Sequence, residues 1–382
     1  MFIVAFLFIV LIYVLSNYYI GRKLYKSFKF VISGLKWQVF SAIYGGVALI
    51  TILSFLGTGG IIKFINAYWM GLFAYLFMFS VVTDIVLGLL GLIRKIPLPE
   101  STNNYLVKGL KLIPEKNKYR NYQGFAVIFL SVCLVGFGIF NATDVENTEY
   151  HVDLENCDMK IVLISDLHLG AIGSESRLEK VIDGVNKQNA DVVCIAGDIF
   201  DSDFSAVKDT KRVKEILGGI NSKYGVYACL GNHDAGESVG EMVRFIGDCG
   251  ITLLKDEYTV IDERLILAGR LDVRPIGKGM KRTDIKKYFA EWESLNMPVV
   301  VMDHNPGNIR EYGSEVDLIL CGHTHKGQIF PANLVTNMIF DVDYGHYKRD
   351  EKSPDVIVTS GAGTWGMPMR VGSDCEIVTI FV

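Results

Sequence analysis

Histidine is scarce in this 382-residue chain, which holds seven. Five of them stand in short polar clusters, each close behind an apolar, largely β-branched run. "KIVLIS" leads into Asp166-Leu167-His168, and "DVVCIA" into Gly197-Asp198. "GVYACL" leads into Gly231-Asn232-His233-Asp234, "PVVVM" into Asp303-His304-Asn305-Pro306, and "VDLIL" into Cys321-Gly322-His323-Thr324-His325. Taken singly, each cluster is ordinary: a Gly-Asp step starts many loops and helices, and one imidazole behind a strand is usually a packed side chain. Five in succession need another explanation. Carboxylates, imidazoles and one amide oxygen, with no thiolate among them, suit Mn, Fe or Zn and argue against a structural zinc site.

The elements that must carry these clusters follow from the hydrophobic pattern. From Lys160 onward, short apolar runs alternate with amphipathic stretches such as "SRLEKVIDGVNKQ", "TKRVKEILGGI" and "SVGEMVRFIGD". That rhythm predicts an α/β domain over 160–382, richer in strands in its second half. In α/β sheets, ligand sites lie outside the carboxyl ends of the strands. The five clusters are therefore expected to converge on one region. Residues 142–159, polar and acidic, read as a tether into the first strand.

Asp-x-His, Gly-Asp, Gly-Asn-His-Asp, His and Gly-His-x-His in this order resemble the calcineurin-like metallophosphoesterase superfamily. The resemblance covers roughly 160–382, and the tail "GAGTWGMPMRVGSDCEIVTI" is similar to the bacterial membrane-associated subgroup. It implies a metallophosphoesterase-type β-sandwich flanked by helices and a site for two divalent metal ions. Asp166, His168 and His325 would bind one ion, and Asn232, His304 and His323 the other, with Asp198 between them. Two such ions clamp an in-line displacement at phosphorus and supply hydroxide near neutral pH. His233 would not be a ligand. It would face the phosphate and give the leaving oxygen its proton, with Asp234 in position to orient it. Lys326 departs from the pattern, because the related subgroup usually has a small residue there, often glycine. It would contact substrate phosphate or point to solvent.

The first 141 residues are different. Four apolar stretches, 2–20, 37–57, 67–93 and 124–140, have the length to cross a bilayer, with Tyr and Trp near several ends. They predict an all-α transmembrane region of four helices. The first has no basic residue before it and no small-x-small cleavage site, unlike a signal peptide. Residues 1–141 carry 13 Lys and Arg against 3 Asp and Glu, whereas the rest of the chain is acidic. The basic residues gather after the first stretch (Arg22, Lys23, Lys26, Lys29, Lys36) and after the third (Arg94, Lys95, Lys108, Lys111, Lys116, Lys118, Arg120). By the positive-inside rule these loops are cytoplasmic, and the catalytic domain falls outside the cytoplasm. Asp84, inside the third stretch, marks a functional position by default, with no basic partner apparent within the spans.

Together these readings predict a multi-pass cell-membrane phosphoesterase acting on a phosphorylated small molecule or lipid. The acidic domain speaks against nucleic acid, whose phosphates attract basic surfaces. The alternative is a membrane sensor or transporter whose phosphoesterase-like domain only binds metal. Arg270 with Asp272, and Arg370, read as ion pairs or anion contacts, and Asp201 and Asp203 as loop caps. The seven cysteines show no metal-knuckle or disulfide spacing.

Overall fold

A computed structural model describes residues 2–55, 60–93, 119, 121–170, 172, 175–274, 276 and 280–382. The chain divides into two compact units, Met1–Phe137 and Gly138–Val382.

The first unit is helical: α1 (Phe2–Val31), α2 (Trp37–Phe55), α3 (Gly60–Ile93) and α4 (Gln123–Asn141). All four are long and apolar enough to cross a membrane. At 1.5 Å per residue, α1 and α3 run to about 45–50 Å, well beyond a hydrocarbon core of about 30 Å. The basic residues Arg22, Lys23, Lys26 and Lys29 consequently lie on α1 itself and not in a loop. The second basic group, Arg94 to Lys118 and Arg120, lies outside the described residues. Asp84 does have a basic partner. Lys23 Nζ stands 3.1 Å from its Oδ1, because α1 continues as helix beyond Ile20 and carries Lys23 alongside α3.

In the second unit, β1 (Val145–His151) precedes β2 (Lys160–Ile164), α5 (Glu175–Lys187), β3 (Val192–Ala196), α6 (Thr210–Leu217), β4 (Val226–Cys229), α7 (Val239–Asp248) and β5 (Thr252–Leu253). Then come β6 (Glu257–Ile261), β7 (Leu265–Gly269), α8 (Phe289–Leu295), β8 (Val299–Met302), β9 (Leu318–Cys321), α9 (Ala332–Ile339), β10 (Gly345–Lys348), β11 (Asp355–Val358) and β12 (Cys375–Phe381). The strands form two six-stranded sheets, ordered β1-β12-β2-β3-β4-β5 and β10-β11-β9-β8-β7-β6.

Strand periodicity explains the layering. Ile161, Leu163, Cys194, Leu265, Leu267, Val300, Leu318 and Leu320 share one core between the sheets. Their alternate neighbours Val162, Ile164, Val193 and Ile195 pack with α5, α6 and α7 on one outer face. Ile266, Val301 and Ile319 pack with Trp292 of α8 on the other. Each central strand is apolar on both faces, as strands buried between two layers must be. The result is the expected β-sandwich flanked by helices.

The stretch read as a tether is only partly one. Its residues 145–151 form β1, which pairs in parallel with β12 along its full length. The alternation in "VENTEYH" carried that signal, but its partner lies more than 200 residues away. Strands β2, β3, β4 and β5 are mutually parallel, as are β7, β8, β9 and β11. Parallel pairing is what brings the carboxyl ends of β2, β3 and β4 to one rim of their sheet, and those of β8 and β9 to one rim of theirs.

Candidate metal centre

At that rim the structure brings candidate ligand clusters together. Asp166, His168 and His325 form one and Asp198, His304 and His323 another, while His168 also groups with Asp201 and His233. His325 Nε2 is 3.3 Å from Asp166 Oδ1 and 3.0 Å from His168 Nε2. His323 Nδ1 is 3.3 Å from His304 Nε2. Asp198 Oδ2 lies between the clusters, 3.2 Å from His304 Nε2 and 3.9 Å from His168 Nε2. Its other oxygen accepts the backbone N–H of His233 at 2.7 Å, which leaves Oδ2 facing both sides.

The approach of the strand ends depends on missing side chains. A Cβ on Gly322 would sit 1.9 Å from Ser165 Oγ and 2.4 Å from Asp166 Oδ2, and one on Gly231 would sit 2.2 Å from Asp198 Oδ1. The backbone is also held in an unusual state. Asp166, His168, Asp198, His323 and His325 all have φ between 47° and 74°, a region that non-glycine residues rarely enter. Such conformations persist where the surroundings over-determine them, and they concentrate at functional sites.

The electrostatics are those of unscreened buried charge. Burial raises Asp166 above the usual carboxylate range, with nearby Asp198 adding to it. Burial opposes ionisation of Asp198 too, yet the charge of His304 and its hydrogen bond take Asp198 well below that range. Burial would lower His304, but Asp198 pushes it up to about 10. Burial and the charge of His304 depress His323 to about 3. Burial and the neighbouring Arg370 take His325 well below the ordinary histidine range. Neutral imidazole and ionised carboxylate are the forms that bind metal.

The donor set fits divalent cations on an independent observation. Asn232 Oδ1 is buried with no hydrogen-bond partner. An unpaired buried amide oxygen is costly, and beside these clusters a cation would satisfy it. His304 Nδ1 meets the carbonyl of Ala196 at 2.8 Å, which leaves Nε2 directed at Asp198, the outer contact that orients a metal-binding imidazole.

Around the ligands several sequence readings change. Asp234 does not touch His233; its carboxylate accepts the N–H groups of Ile199, Phe200 and Gly231 and braces the two loops. Burial and Asp198 raise it to about 7. Asp201 contacts the imidazole instead, its Oδ1 3.3 Å from His233 Nδ1. Burial lowers His233, but Asp201 and the charge of Asp198 together outweigh it and the net shift is upward. Asp203 is a cap, accepting from Ser205 N. Arg370 is no open anion site: it is fully buried and donates to the carbonyls of His325, Gly361 and Gly363. Arg270 forms a buried pair with Asp256 at 3.0 Å. Lys326 is half-buried, with its Nζ 3.8 Å from the centre of the Tyr344 ring. Thr324 turns away from the ligands and donates to Asp343 O.

With this geometry in place, comparison with known proteins identifies the domain. Residues 159–327 match the family model described as calcineurin-like phosphoesterase. The chain carries a calcineurin-like metallophosphoesterase domain. An uncharacterized metallophosphoesterase of Campylobacter jejuni is 29% identical over 390 residues, covering 97% of this chain and 96% of that one. A transmembrane protein with metallophosphoesterase domain from Danio rerio is 29% identical over 68% of this chain and 62% of its own. The UDP-2,3-diacylglucosamine pyrophosphatase of Chlamydia trachomatis is 24% identical over 54% of this chain and 78% of its own. The family match and the relatives make the chain a phosphoester hydrolase with four membrane-capable helices, and its His/Asp clusters are candidate sites for divalent metal.

Proposed function

We propose that this protein is a membrane-anchored, dinuclear-metal phosphoesterase that cleaves a phosphoester or pyrophosphate bond in a lipid-linked or envelope substrate outside the cytoplasm. The observation that carries the reading is the pair of clusters flanking Asp198, with the orphaned Asn232 oxygen beside them. Asp166, His168 and His325 would hold one ion, Asn232, His304 and His323 the other, and Asp198 both. When bound, Mn, Fe or Zn ions neutralise phosphoryl charge and acidify water.

The remaining work falls to the chain. His233 stands outside the two clusters, its ring 5.0 Å from that of His168. Ser202 Oγ and Asp201 Oδ1 lie 3.2 and 3.3 Å from Nδ1, which leaves Nε2 to give a proton to the leaving oxygen. The Trp365 ring lies 5.7 Å from that of His233.

The location rests on charge and on helix direction. Lys23, Asp84 and Gln123 meet in one layer, with Gln123 Nε2 2.7 Å from Asp84 Oδ1. Lys23 and Asp84 lie late in α1 and α3, whereas Gln123 begins α4. That layer supports an arrangement in which α1 and α3 run one way and α4 returns. The basic end of α1 then faces the cytoplasm, and α4 leads away from it. The relative from Chlamydia, by its name a pyrophosphatase of UDP-2,3-diacylglucosamine, favours the substrate class.

Full-length protein reconstituted with Mn²⁺, Fe²⁺ or Zn²⁺ should bind two equivalents and turn over at least one member of a panel of monoesters, diesters, lipid phosphates and lipid-linked pyrophosphates. Metal binding without turnover across the panel would favour the sensor or transporter reading. Labelling of Lys352→Cys in intact cells by an impermeant thiol reagent tests the location; protection until the cells are opened would put the domain inside.

A further inference from the structure

Helix α9 is amphipathic in the wrong sense for a helix on a soluble domain. It holds no charged residue and none of its residues is buried. Its polar side is turned inward: Thr336 Oγ1 and Asn337 Nδ2 both donate to the carboxylate of Asp343, at 2.7 and 3.4 Å, and Asp343 itself is buried. Its apolar side is turned outward. Leu334 and Met338, and Val335 and Ile339, stand four residues apart on one face, with Met338 85% and Ile339 69% exposed. Phe330, one turn before, and Trp365 are exposed as well. A contiguous apolar face of this kind on a folded domain marks an interaction surface.

Two further contacts say what covers it. Residues 138–141, the last turn of the fourth apolar helix, fold with the second unit. Asn141 Nδ2 donates to Ser373 O at 3.1 Å and Asp374 Oδ1 at 2.9 Å, and Arg370 N donates to Gly138 O at 2.9 Å. The same 370–374 loop pairs with the segment entering α9, through Phe330 N to Val371 O at 2.7 Å. The apolar face thus begins at the loop that grips the end of a membrane-capable helix. A neutral, apolar helix face held next to such an exit matches the interfacial mode, in which the apolar side sinks about 5–10 Å into the boundary of headgroups and acyl chains.

We infer that α9, with Phe330 and Trp365, lies in the surface of the bilayer that carries the four apolar helices, and so sets the metal rim against the headgroup layer. The link to the rim is short. The Phe340 ring is 6.0 Å from that of His323, and Gln328 ties the Trp365 loop to the ligand loop by three hydrogen bonds of 2.7–2.9 Å. Docking therefore fixes how the rim meets a phosphate held at headgroup depth. This inference rests on the membrane anchor and the exposed face, and it stands whether or not the proposed substrate is correct.

The test uses the full chain in nanodiscs of phosphatidylcholine and phosphatidylglycerol, with Cys133 replaced by alanine because it is the exposed cysteine among the described residues. Met338→Cys carries a polarity-sensitive fluorophore, with Lys211→Cys as the control. Lipids brominated along their acyl chains should quench the label at 338 at least twofold and leave the control unchanged. Equal, weak quenching at both positions overturns the inference. So does blue-shifted emission at 338 that bromination does not quench, which would put α9 against another protein or a second copy of this one.

Discussion

Asp201 Oδ1 lies 3.3 Å from His233 Nδ1, three residues beyond Asp198 on the same loop, so one loop carries both a proposed metal position and a contact to the proposed proton donor. The negative charge keeps the imidazole protonated above its ordinary range against the pull of burial. Asp201→Asn removes that support, and the half-protonation point of His233 moves down. The alkaline limb of the pH–rate profile should then shift to lower pH for substrates with poor leaving groups. For p-nitrophenyl esters, whose leaving oxygen needs little protonation, the limb should stay in place. Identical shifts for both classes would remove Asp201 from the proton path.

Why was this pair not legible in the sequence? An Asp three residues after Gly-Asp looks like a loop cap, and Asp203, two residues on, is one. The gathering of the candidate ligands was legible because each sits close behind an apolar strand, and parallel pairing carries strand ends to one rim without further information. Arg370, β1 and the Lys23–Asp84 contact depend instead on pairings between distant segments. No local pattern announces that Arg370 will be enclosed by the carbonyls of His325, Gly361 and Gly363. Asp84 seemed unpartnered because an apolar window ends a span at its first basic residue, whereas the helix does not end there.

Replacing His233 by alanine tests the proton donor directly. His233 is not among the residues proposed to hold the two ions, so metal content should be retained. Turnover of alkyl phosphoesters should fall by about 100-fold or more, the range for loss of a general acid, with a much smaller loss for p-nitrophenyl esters. Metal analysis beside kinetics with the two leaving groups checks this, and equal losses would count against the role.

Asn232→Ala removes the orphaned buried oxygen. If that oxygen faces a cation, affinity for one of the two ions should weaken by ~10-fold or more, on the scale seen when a metal site loses supporting polar contacts. The metal-free protein should be no less stable than before, since an unpaired buried polar atom has been deleted. Isothermal titration with Mn²⁺ and thermal melts with and without metal separate the two effects. Unchanged binding of both ions would show that Asn232 is not a ligand.

Lys326 sits at φ 50° with its ammonium over Tyr344. Lys326→Gly forfeits a cation–π contact of about 0.5–1 kcal/mol and relieves a left-handed backbone of roughly 1 kcal/mol. The two should nearly cancel, and kinetics on charged and neutral substrates should not change. Lys326→Ala loses the contact without the backbone relief and should melt lower. A raised KM for charged substrates in the glycine variant would mean that the lysine leaves Tyr344 to hold phosphate.

The polar layer of the membrane unit yields a prediction about order, not only size. Lys23 Nζ meets Asp84 Oδ1 and the carbonyl of Ser80. Asp84 also takes hydrogen bonds from Tyr19 and Gln123, so α1, α3 and α4 meet on one carboxylate. Lys23→Met leaves Asp84 without its cation in a setting that penalises unpaired charge, and Asp84→Leu strands the lysine likewise. Removing both leaves no orphaned charge, and apolar replacements of ion pairs are often neutral. The double variant should therefore melt higher in detergent than either single variant, by about 1 kcal/mol or more, the scale of interhelical polar contacts. If the double variant is the least stable of the three, the layer holds the helices by more than charge pairing, through the hydrogen bonds that Asp84 accepts.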